Sequence, residues 1–237
     1  MLPPVRPPSY LEADITDKPM WVSFYQFLFA TGSGDQAAAA DQRRIAQLET
    51  LLAVDEAVGA LTDRLETQGL ADNTMVVFTS DNGFLWLEHW LTLKSYPYEE
   101  SIRLPLVVRY PVLTPAPRTT SAMALPIDFY PTLAELAGIA GQSVNGKSLV
   151  DVIRGDTTGW RDDILLEHFA PVAAIATSTG VRTARWKLIE TDAPNGVTTE
   201  LYDLAADPFE LTNVAADPAN AAVVAALRTR LAALTAE

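Results

Sequence analysis

An apolar, β-branched run stops abruptly at a small polar tripeptide in the first half of the chain. Residues 74–79 read TMVVFT, and Asp81-Asn82-Gly83 follows directly after one serine. An apolar run without alternation predicts a strand that is covered on both faces, as in a parallel or mixed sheet between helices. A second strand of this kind is predicted at residues 104–110, LPLVVRY.

A helical pattern precedes the first of these strands. Asp41 is predicted to cap this helix, and Gly69 is predicted to end it. Asp55 falls on the apolar stripe, where a carboxylate lies either at the rim of the buried face or paired inside it. Apolar residues recur along the stripe at three- and four-residue steps: Ile45, Leu48, Leu52, Val58, Leu61 and Leu65.

A second helix is predicted after the second strand, at about residues 129–137, with Asp128 as its cap and Gly138 at its end. The order helix, strand, loop, strand, helix is typical of α/β folds. From about residue 146 the pattern changes to short strands between polar turns, which predicts antiparallel pairing. These strands read DDILLEHF, TARWKLIE and TELYDL, and a terminal helix with one apolar face begins at Asp217-Pro218.

The composition argues against several classes of function. The 237 residues include 30 acidic and 17 basic residues, which gives a net charge of −13. Such a surface repels phosphate backbones, so we predict no nucleic-acid partner. There are no cysteines and only two histidines, which excludes thiolate chemistry and argues against a histidine-built zinc site. Residues 21–30 are too few to cross a bilayer, and no secretory signal is evident; no membrane span is predicted, and the localisation stays open.

Asp81-Asn82-Gly83 has two interpretations. Asn-Gly is a strong signal for a hairpin turn, which would make the tripeptide a simple connection between strands. However, the residues that follow, FLWLEHWLTLKSYPYEES, do not alternate cleanly and contain a proline. In α/β sheets, ligands gather at the carboxyl ends of buried strands. A carboxylate beside an amide oxygen suits calcium or magnesium rather than zinc.

Several segments, in order along the chain, resemble the second half of the sulfatases, the formylglycine-dependent members of the alkaline phosphatase superfamily. The resemblance starts with the helix RRIAQLETLLAVDEAVGALTDRLETQGL and the segment DNTMVVFTSDNG. It continues through EH, K, YEES, IRLPLVVRYP, PIDFYPTLAELAGI and NGKSL, and it closes with GVRTARWKLI and ELYDLAADPFELTNVA. The opening PPSYLEADITDKP is similar to a loop of the branch that desulfates glycosaminoglycans and mucins.

The resemblance implies a fold, an activity and a substrate class. The implied fold is α/β and contains part of the alkaline phosphatase-like mixed sheet with flanking helices, followed by a small C-terminal antiparallel sheet with a terminal helix. Residues 1–145 are predicted to belong to the catalytic domain and residues 146–237 to a C-terminal subdomain. The implied activity is hydrolysis of sulfuric esters, with a sulfated small molecule or glycan as substrate.

The resemblance also implies roles for individual residues. Asp81 and Asn82 match the ligands of the family's catalytic divalent cation, Ca²⁺ or Mg²⁺. Lys94 matches a lysine that contacts the sulfate, with a solvated surface lysine as the alternative. His89 lies in the segment that reads G-E-H-G in relatives, near the mouth of the pocket, and is a candidate catalytic residue.

Other positions depart from the family or carry weaker assignments. Leu87 and Trp90 replace both glycines of the G-E-H-G segment, so the local backbone is expected to differ. His168 and Arg182 are candidates for contacting the substrate, with a structural role as the alternative. The YEES segment, residues 98–101, is expected to pack and to cap a helix rather than to catalyse.

The nucleophile motif of the family is not found in this sequence. Sulfatases use a formylglycine made from the first residue of C/S-x-P-x-R, and the nearest spacing match, residues 2–6, begins with a leucine. Without that nucleophile no covalent sulfate intermediate forms. Asp81 and Asn82 supply only part of the about six to eight oxygens that calcium takes, so cation binding is expected to be weak.

Three hypotheses follow from these observations. The first is that the chain is the carboxyl-terminal half of a sulfatase, inactive alone, which acts with a complementing amino-terminal half. Absence of that half is expected to expose a strand edge and an apolar helix face. The second is a non-catalytic remnant or binding module for sulfated glycans. The third is a phosphate-directed relative of the same superfamily, which the EH, K and YEES segments and the closing LYDLAADPFELTN disfavour.

Overall fold

The computed structural model describes residues 6–32, 34–139, 144–169, 176–194 and 196–236 and has a mixed α/β structure. The helices in these ranges are α1 Met20–Thr31, α2 Gln36–Thr67, α3 Glu99–Ile102, α4 Phe129–Leu136, α5 Val150–Arg154 and α6 Ala221–Leu234. The strands are β1 Val76–Thr79, β2 Leu85–Trp86, β3 Thr92–Leu93, β4 Leu106–Arg109, β5 Asp163–His168, β6 Ser178–Thr183, β7 Trp186–Ala193 and β8 Gly196–Asp203. Among the described helices, none combines the length and the apolar character that a membrane crossing requires.

The described chain divides into two compact units, each built from segments that are separate in sequence. The first unit comprises Met1–Leu51, Asn82–Arg103 and Asp163–Glu237. The second unit comprises Leu52–Asp81 and Leu104–Asp162. The boundary predicted between residues 145 and 146 divides the chain along its sequence instead, and it stays a prediction.

A four-stranded antiparallel sheet forms the centre of the first unit, with the strand order β5-β6-β7-β8. One face of this sheet packs against α6 because the apolar residues of the helix recur at three- and four-residue steps. The buried residues of this core are Val181, Leu188, Leu201, Val224, Leu227 and Leu231. The predicted closing antiparallel sheet and terminal helix are confirmed. Strand β6 was not predicted as a separate strand, because its sequence STGVRT has a weak apolar signal.

The apolar run before Asp81 forms a strand, β1, that pairs with β4 in a two-stranded antiparallel ladder. Val77 and Phe78 of β1 are 37% and 42% exposed, and Leu106 and Val107 of β4 are 36% and 61% exposed. The prediction that both strands are covered on both faces is therefore wrong for the described chain. The β-branched residues determine the strand conformation, but burial depends on neighbouring strands and helices that this ladder lacks among the described residues.

The long helix α2 begins earlier than predicted. The Oδ1 atom of Asp35 accepts a hydrogen bond from the backbone N–H of Ala38 at 2.9 Å, as an N-cap residue does. Asp41 lies inside the helix, where its carboxylate pairs with Arg6, so its prediction as the cap is wrong. Gly69 follows the helix with φ +67, which confirms the predicted end.

The apolar stripe of α2 lies on the surface in the described chain. Asp55 is exposed, so it lies neither at the rim of a buried face nor in a buried pair. Exposed apolar residues extend along the helix: Leu48, Leu51, Leu52, Val54, Val58 and Leu61. An exposed apolar helix face and an exposed strand edge were both expected, and the described chain has both.

Helix α4 lies in the second unit and ends before Gly138, which has φ +71, as predicted. Asp128 does not cap α4 with its side chain, contrary to the prediction. Its carboxylate instead accepts the backbone N–H of Leu125 at 2.7 Å and that of Lys147 at 2.8 Å. The same carboxylate forms two hydrogen bonds with Arg161, at 2.5 and 2.6 Å. We call this arrangement the Asp128 clasp.

Two further residues of the family-like segments complete the Asp128 clasp. The hydroxyl of Thr132 donates to the backbone oxygen of Asp128 at 2.5 Å and accepts the N–H of Leu149 at 2.8 Å. A Cβ atom on Gly146 would lie 2.0 Å from the backbone oxygen of Ile127, so only glycine fits there. The motifs DFYPTL and NGKSL therefore have a structural role, because they join α4 to the chain that precedes α5.

Candidate active site

The tripeptide Asp81-Asn82-Gly83 is not the turn of a hairpin. β1, which precedes it, pairs with β4, and the segment between them contains β2, β3 and α3. The N–H groups of Gly83 and Phe84 donate to the backbone oxygens of Ser101 and Glu100, at 2.9 and 2.8 Å. A Cβ atom on Gly83 would lie 2.1 Å from the Glu100 oxygen. The glycine is thus required by the close approach of two backbone segments rather than by a turn.

Lys94 lies beside Asn82, which precedes it by twelve positions in the sequence. The Nζ atom of Lys94 donates a hydrogen bond to Oδ1 of Asn82 at 2.5 Å. Strand β3 ends directly before Lys94, and Leu93 and Ser95 on either side have φ +75 and +80. Positive φ values at residues other than glycine are unfavourable and are maintained only by surrounding contacts. The local backbone therefore holds the exposed ammonium group of Lys94 next to the amide oxygen.

Asp81 and Asn82 have the chemistry of hard-cation ligands but do not form a complete site. Asp81 is exposed and Asn82 is half-buried. Calcium takes about six to eight oxygen ligands. In the part of the chain that the structure describes, no three His, Asp or Glu side chains are grouped so that they could hold a metal ion. The oxygens of Asp81 and Asn82 suit two of the ligands of Ca²⁺ or Mg²⁺, and the predicted role of the two residues as cation ligands stays a prediction.

His89 lies in the interior of the first unit and has no exposed surface. Its Nδ1 atom lies 2.7 Å from Oε2 of Glu12, and its ring stacks on Tyr98 at a centroid distance of 4.4 Å. The N–H of His89 also donates to the backbone oxygen of Ser9 at 2.7 Å. These contacts hold the ring within the protein. Its predicted catalytic role stays a prediction.

The segment around His89 has a glycine-like backbone without glycines. Leu87 has φ +76 and Trp90 has φ +62, at the two positions where the family pattern described above has glycine. Both have the left-handed conformation that glycine adopts without strain, and the expectation of a different local backbone stays a prediction. Leu87 is buried, and the Nε1–H group of Trp90 donates to the backbone oxygen of Glu12 at 2.8 Å. Side-chain packing and this hydrogen bond oppose the strain.

Arg182 belongs to a buried cluster of charged residues in the first unit. Its guanidinium forms two hydrogen bonds with the carboxylate of Glu99, at 3.1 and 3.0 Å. Lys187, which has no exposed surface, lies 3.1 Å from the same carboxylate and 2.5 Å from that of Glu210. The N–H of Glu99 donates to Glu210 at 2.7 Å. Arg182 therefore has a structural partner, and its contact with a substrate stays a prediction.

This cluster shifts two carboxylate pKa values in opposite directions. Burial alone would raise the pKa of Glu99, but Lys187 and Arg182 outweigh it and lower that pKa to about 2. Burial raises the pKa of Glu210 to about 6, against the opposing effect of Lys187. Lys187 thus lies between two carboxylates, and Glu210, the more deeply buried of the two, is harder to ionise than Glu99.

His168, the other candidate for substrate contact, is half-buried at the end of β5, where it pairs in register with Ser178 of β6. Its role stays a prediction. Sequence reasoning missed several interior charges: Glu12, Lys18, Lys187, Glu200 and Glu210. A signal existed for Lys187, since it lies between Trp186 and Leu188 in a strand with apolar residues on both faces. Glu12 and Glu210 lie in loops, where a charge is ordinarily solvated.

Comparisons with known proteins place this chain in a family. The family model described as "Sulfatase" matches residues 19–139, and "N-sulphoglucosamine sulphohydrolase, C-terminal" matches residues 87–237. The chain therefore belongs to the sulfatase family. It is 38% identical over 175 residues to the N-acetylglucosamine-6-O-sulfatase of Bacteroides thetaiotaomicron, a match that covers 70% of this chain and 31% of that protein.

Two solved structures are similar to the fold described above. One is a protein in complex with its substrate D-glucosamine-2-N,6-O-disulfate, at a TM-score of 0.72 and 36% identity, covering 77% of this chain and 38% of that one. The other is the phosphonate monoester hydrolase of Agrobacterium radiobacter, at a TM-score of 0.69 and 32% identity, covering 77% and 39%. The chain spans about a third of the length of the curated relatives it matches.

Proposed function

We propose that this chain takes part in the hydrolysis of sulfate esters of sugars. The observation that carries the proposal is the hydrogen bond between Lys94 and Asn82, because it joins two family-matched residues in one place. An ammonium group held there is suited to bind the anionic oxygens of a sulfate ester. The substrate class follows the similarity to a glucosamine-6-O-sulfatase and to a glucosamine disulfate complex.

Asp81 and Asn82 provide two oxygen ligands for Ca²⁺ or Mg²⁺ in this proposal. A divalent cation bound there neutralises negative charge on the ester oxygens. Because Oδ1 of Asn82 accepts from Lys94 in the structure, cation binding requires the ammonium group of Lys94 to move from that oxygen to the sulfate ester. The described residues offer no group of three His, Asp or Glu side chains that could hold a metal ion, so we expect Asp81 and Asn82 alone to bind the cation weakly. In this proposal the remaining ligands and the nucleophile are supplied by residues outside the described part of the chain, in the same protein or in a complementing segment. We expect no sulfatase activity from these 237 residues alone.

Release of sulfate from N-acetylglucosamine-6-sulfate tests this proposal directly. The assay compares the chain alone with the chain mixed with a complementing sulfatase segment, in millimolar calcium. Turnover is expected only in the mixture, and Lys94→Met is expected to lower it by at least about a hundredfold. Lys147→Met is the matched control, because Lys147 is also exposed and its contact with the Asp128 clasp is through its backbone.

Three results decide between the candidate functions. Equal turnover in wild type and Lys94→Met would contradict the site assignment. Binding of the sulfated sugar without turnover in any mixture would favour a binding module. Hydrolysis of a phosphonate or phosphate monoester but not of the sulfate ester would favour the phosphate-directed alternative. These two esters are included as substrates because the chain is similar to a phosphonate monoester hydrolase.

A further inference from the structure

The ammonium group of Lys187, a residue of β7 without exposed surface, lies among three oxygen atoms. Its Nζ atom donates to the backbone oxygen of Pro97 at 2.8 Å and to Oε1 of Glu99 at 3.1 Å. It also lies 2.5 Å from Oε1 of Glu210. Because a lysine has three N–H donors and no acceptor, these three oxygens match what the ammonium group can bind. The side chain thus joins the four-stranded sheet to residues 97–99.

The contact of Lys187 with Glu99 leads to the segment that carries Asn82. Glu99 begins α3, and the backbone oxygens of the next two residues accept the N–H groups of Phe84 and Gly83 at 2.8 and 2.9 Å. A Cβ atom on Gly83 would lie 2.1 Å from the first of these oxygens, so the two segments are in close contact. Asn82 directly precedes this pair of hydrogen bonds. The position of α3 therefore determines where the backbone of Asn82 lies.

The contact of Lys187 with Pro97 leads to the segment that carries Lys94. Lys94 lies three positions before Pro97, and three extended residues span about 10 Å at most. Between them, Tyr96 is 5% exposed, so the segment is held by packing along its length as well as at its end. Asn82 and Lys94, the two residues joined in the proposed site, are thus both attached to partners of one ammonium group.

We propose that Lys187 is a positioning residue for the sulfate site, which holds the segments of Asn82 and Lys94 side by side. This inference rests on the proposed function, since it concerns the same two residues. Because Lys187 has no exposed surface, it acts through these segments and not on the substrate. The Nζ atom of Lys94 lies 2.5 Å from Oδ1 of Asn82, and a misplacement of about 1 Å in such a site costs about a hundredfold in rate.

Packing alone does not account for a charge at this position of β7. Ile189 lies two residues further along, on the same face of the strand, and is an apolar residue without exposed surface in the core. Burying an ion pair costs desolvation energy that an apolar side chain of similar volume avoids. Lys187 provides what Ile189 does not, which is N–H donors for the Pro97 oxygen and the Glu99 carboxylate. These donors hold a polar stretch of backbone in one position.

Amide hydrogen exchange on the 237-residue chain tests this linkage without any substrate. Lys187→Met keeps much of the side-chain volume and removes all three donors. The Gly83 and Phe84 amides are expected to exchange at least about tenfold faster, relative to the amides of β6, than in the wild type. Leu188→Ala is the matched control, because Leu188 is equally buried and next in the strand but packs with α6. It is expected to change both sets of amides alike.

Sulfate release by the mixture described under the proposed function tests the consequence for the site. Lys187→Met is expected to lower the rate by at least about tenfold. In the Lys94→Met background it is expected to lower the rate by less than about threefold, because part of its effect acts through Lys94. Leu188→Ala is expected to have the same factor in both backgrounds. A double-mutant cycle therefore separates positioning from a general loss of stability.

The outcomes also separate this proposal from the proposed function. Equal effects of Lys187→Met and Leu188→Ala on exchange at Gly83 and Phe84, or a full tenfold loss of rate in both backgrounds, overturn the positioning role. Faster exchange at those two amides, with no sulfate release from any mixture, supports the linkage and contradicts the proposed function. If circular dichroism shows that Lys187→Met does not fold, Glu99→Gln carries the same tests, because it keeps the side-chain shape and removes only the charge.

Discussion

The two main sheets of this protein are built from the same residue types and have opposite environments. In the four-stranded sheet, Val181, Leu188 and Leu201 have no exposed surface and pack against α6. In the β1–β4 ladder, valine and leucine side chains remain exposed on both faces. The difference shows that β-branched sequence produces a strand, whereas the neighbouring elements decide whether that strand contributes a core. We expect the two units to respond differently to substitution.

The largest effect is expected in the unit with the open ladder, at the Asp128 clasp. Asp128→Ala removes a fully buried carboxylate and leaves Arg161, whose side chain is 10% exposed, without that partner. Breaking a buried pair from one side costs about 3–5 kcal/mol of unfolding free energy. Urea denaturation followed by circular dichroism measures the loss. A loss of this size would show that polar contacts, rather than the burial of its sheet, stabilise the folded state of this unit.

Asp151→Ala is the control for the Asp128 clasp. Asp151 pairs with Arg154 on the surface of the same unit, where both side chains are more than half exposed. Such pairs contribute about 0–1 kcal/mol. If the two aspartate substitutions cost the same, the clasp does not stabilise the unit, and the contrast between the sheets would have to be explained by another contact.

A matched pair of leucine substitutions tests the contrast between the sheets itself. Leu188→Ala in β7 removes a fully buried side chain, which costs about 2–5 kcal/mol because it leaves a cavity. Leu106→Ala in β4 removes a side chain that is 36% exposed, and we expect less than about 1 kcal/mol. The same urea titration measures both. Equal losses of unfolding free energy in the two variants would mean that the ladder is covered in solution, for example by self-association. The two sheets would then not differ in burial as described above.

The closing sheet and its helix were predictable because their signals are local. The residues of α6 recur at helical spacing, and Asp217 accepts the N–H of Ala219 as the sequence Asp-Pro predicts. The exposure of the ladder was not predictable in the same way. A strand with apolar residues on both faces predicts cover from other elements, and the sequence of the strand does not specify where that cover is encoded.

The candidate site was predictable in its residue types and less so in its arrangement. The family motifs identified Asn82 and Lys94, which the structure brings to 2.5 Å. They did not indicate that His89 lies in the interior against Glu12. That contact joins residues 77 positions apart, and local periodicity carries no information about such a pair. The partner of Arg182 was missed for the same reason, since Glu99 lies 83 positions away.

The smallest expected effect is a pH dependence of the unfolding free energy, and it belongs to the unit that contains the four-stranded sheet. Glu210 has a pKa of about 6 in the folded protein and about 4.3 when unfolded. The folded state therefore binds the proton more tightly, and the unfolding free energy rises by about 2 kcal/mol as the pH falls from 7 towards 4.5. Glu99, with its pKa of about 2, acts oppositely: its stabilisation is present above about pH 4.3 and is lost as the pH falls towards 2.

Stability should consequently pass through a maximum at mildly acidic pH, and urea titrations at several pH values measure it. Glu210→Gln removes one of the groups that take up a proton, so the rise between pH 7 and 4.5 should become smaller by about 2 kcal/mol. Burial also raises the pKa values of Glu200 and Glu88, and these carboxylates supply the rise that remains. Glu190→Gln is the control, because Glu190 pairs with Arg228 in a more exposed position. If Glu210→Gln retains the full rise, the gain comes from other carboxylates. The burial of Glu210 beside Lys187 would then not explain the pH dependence of the unit that contains the four-stranded sheet.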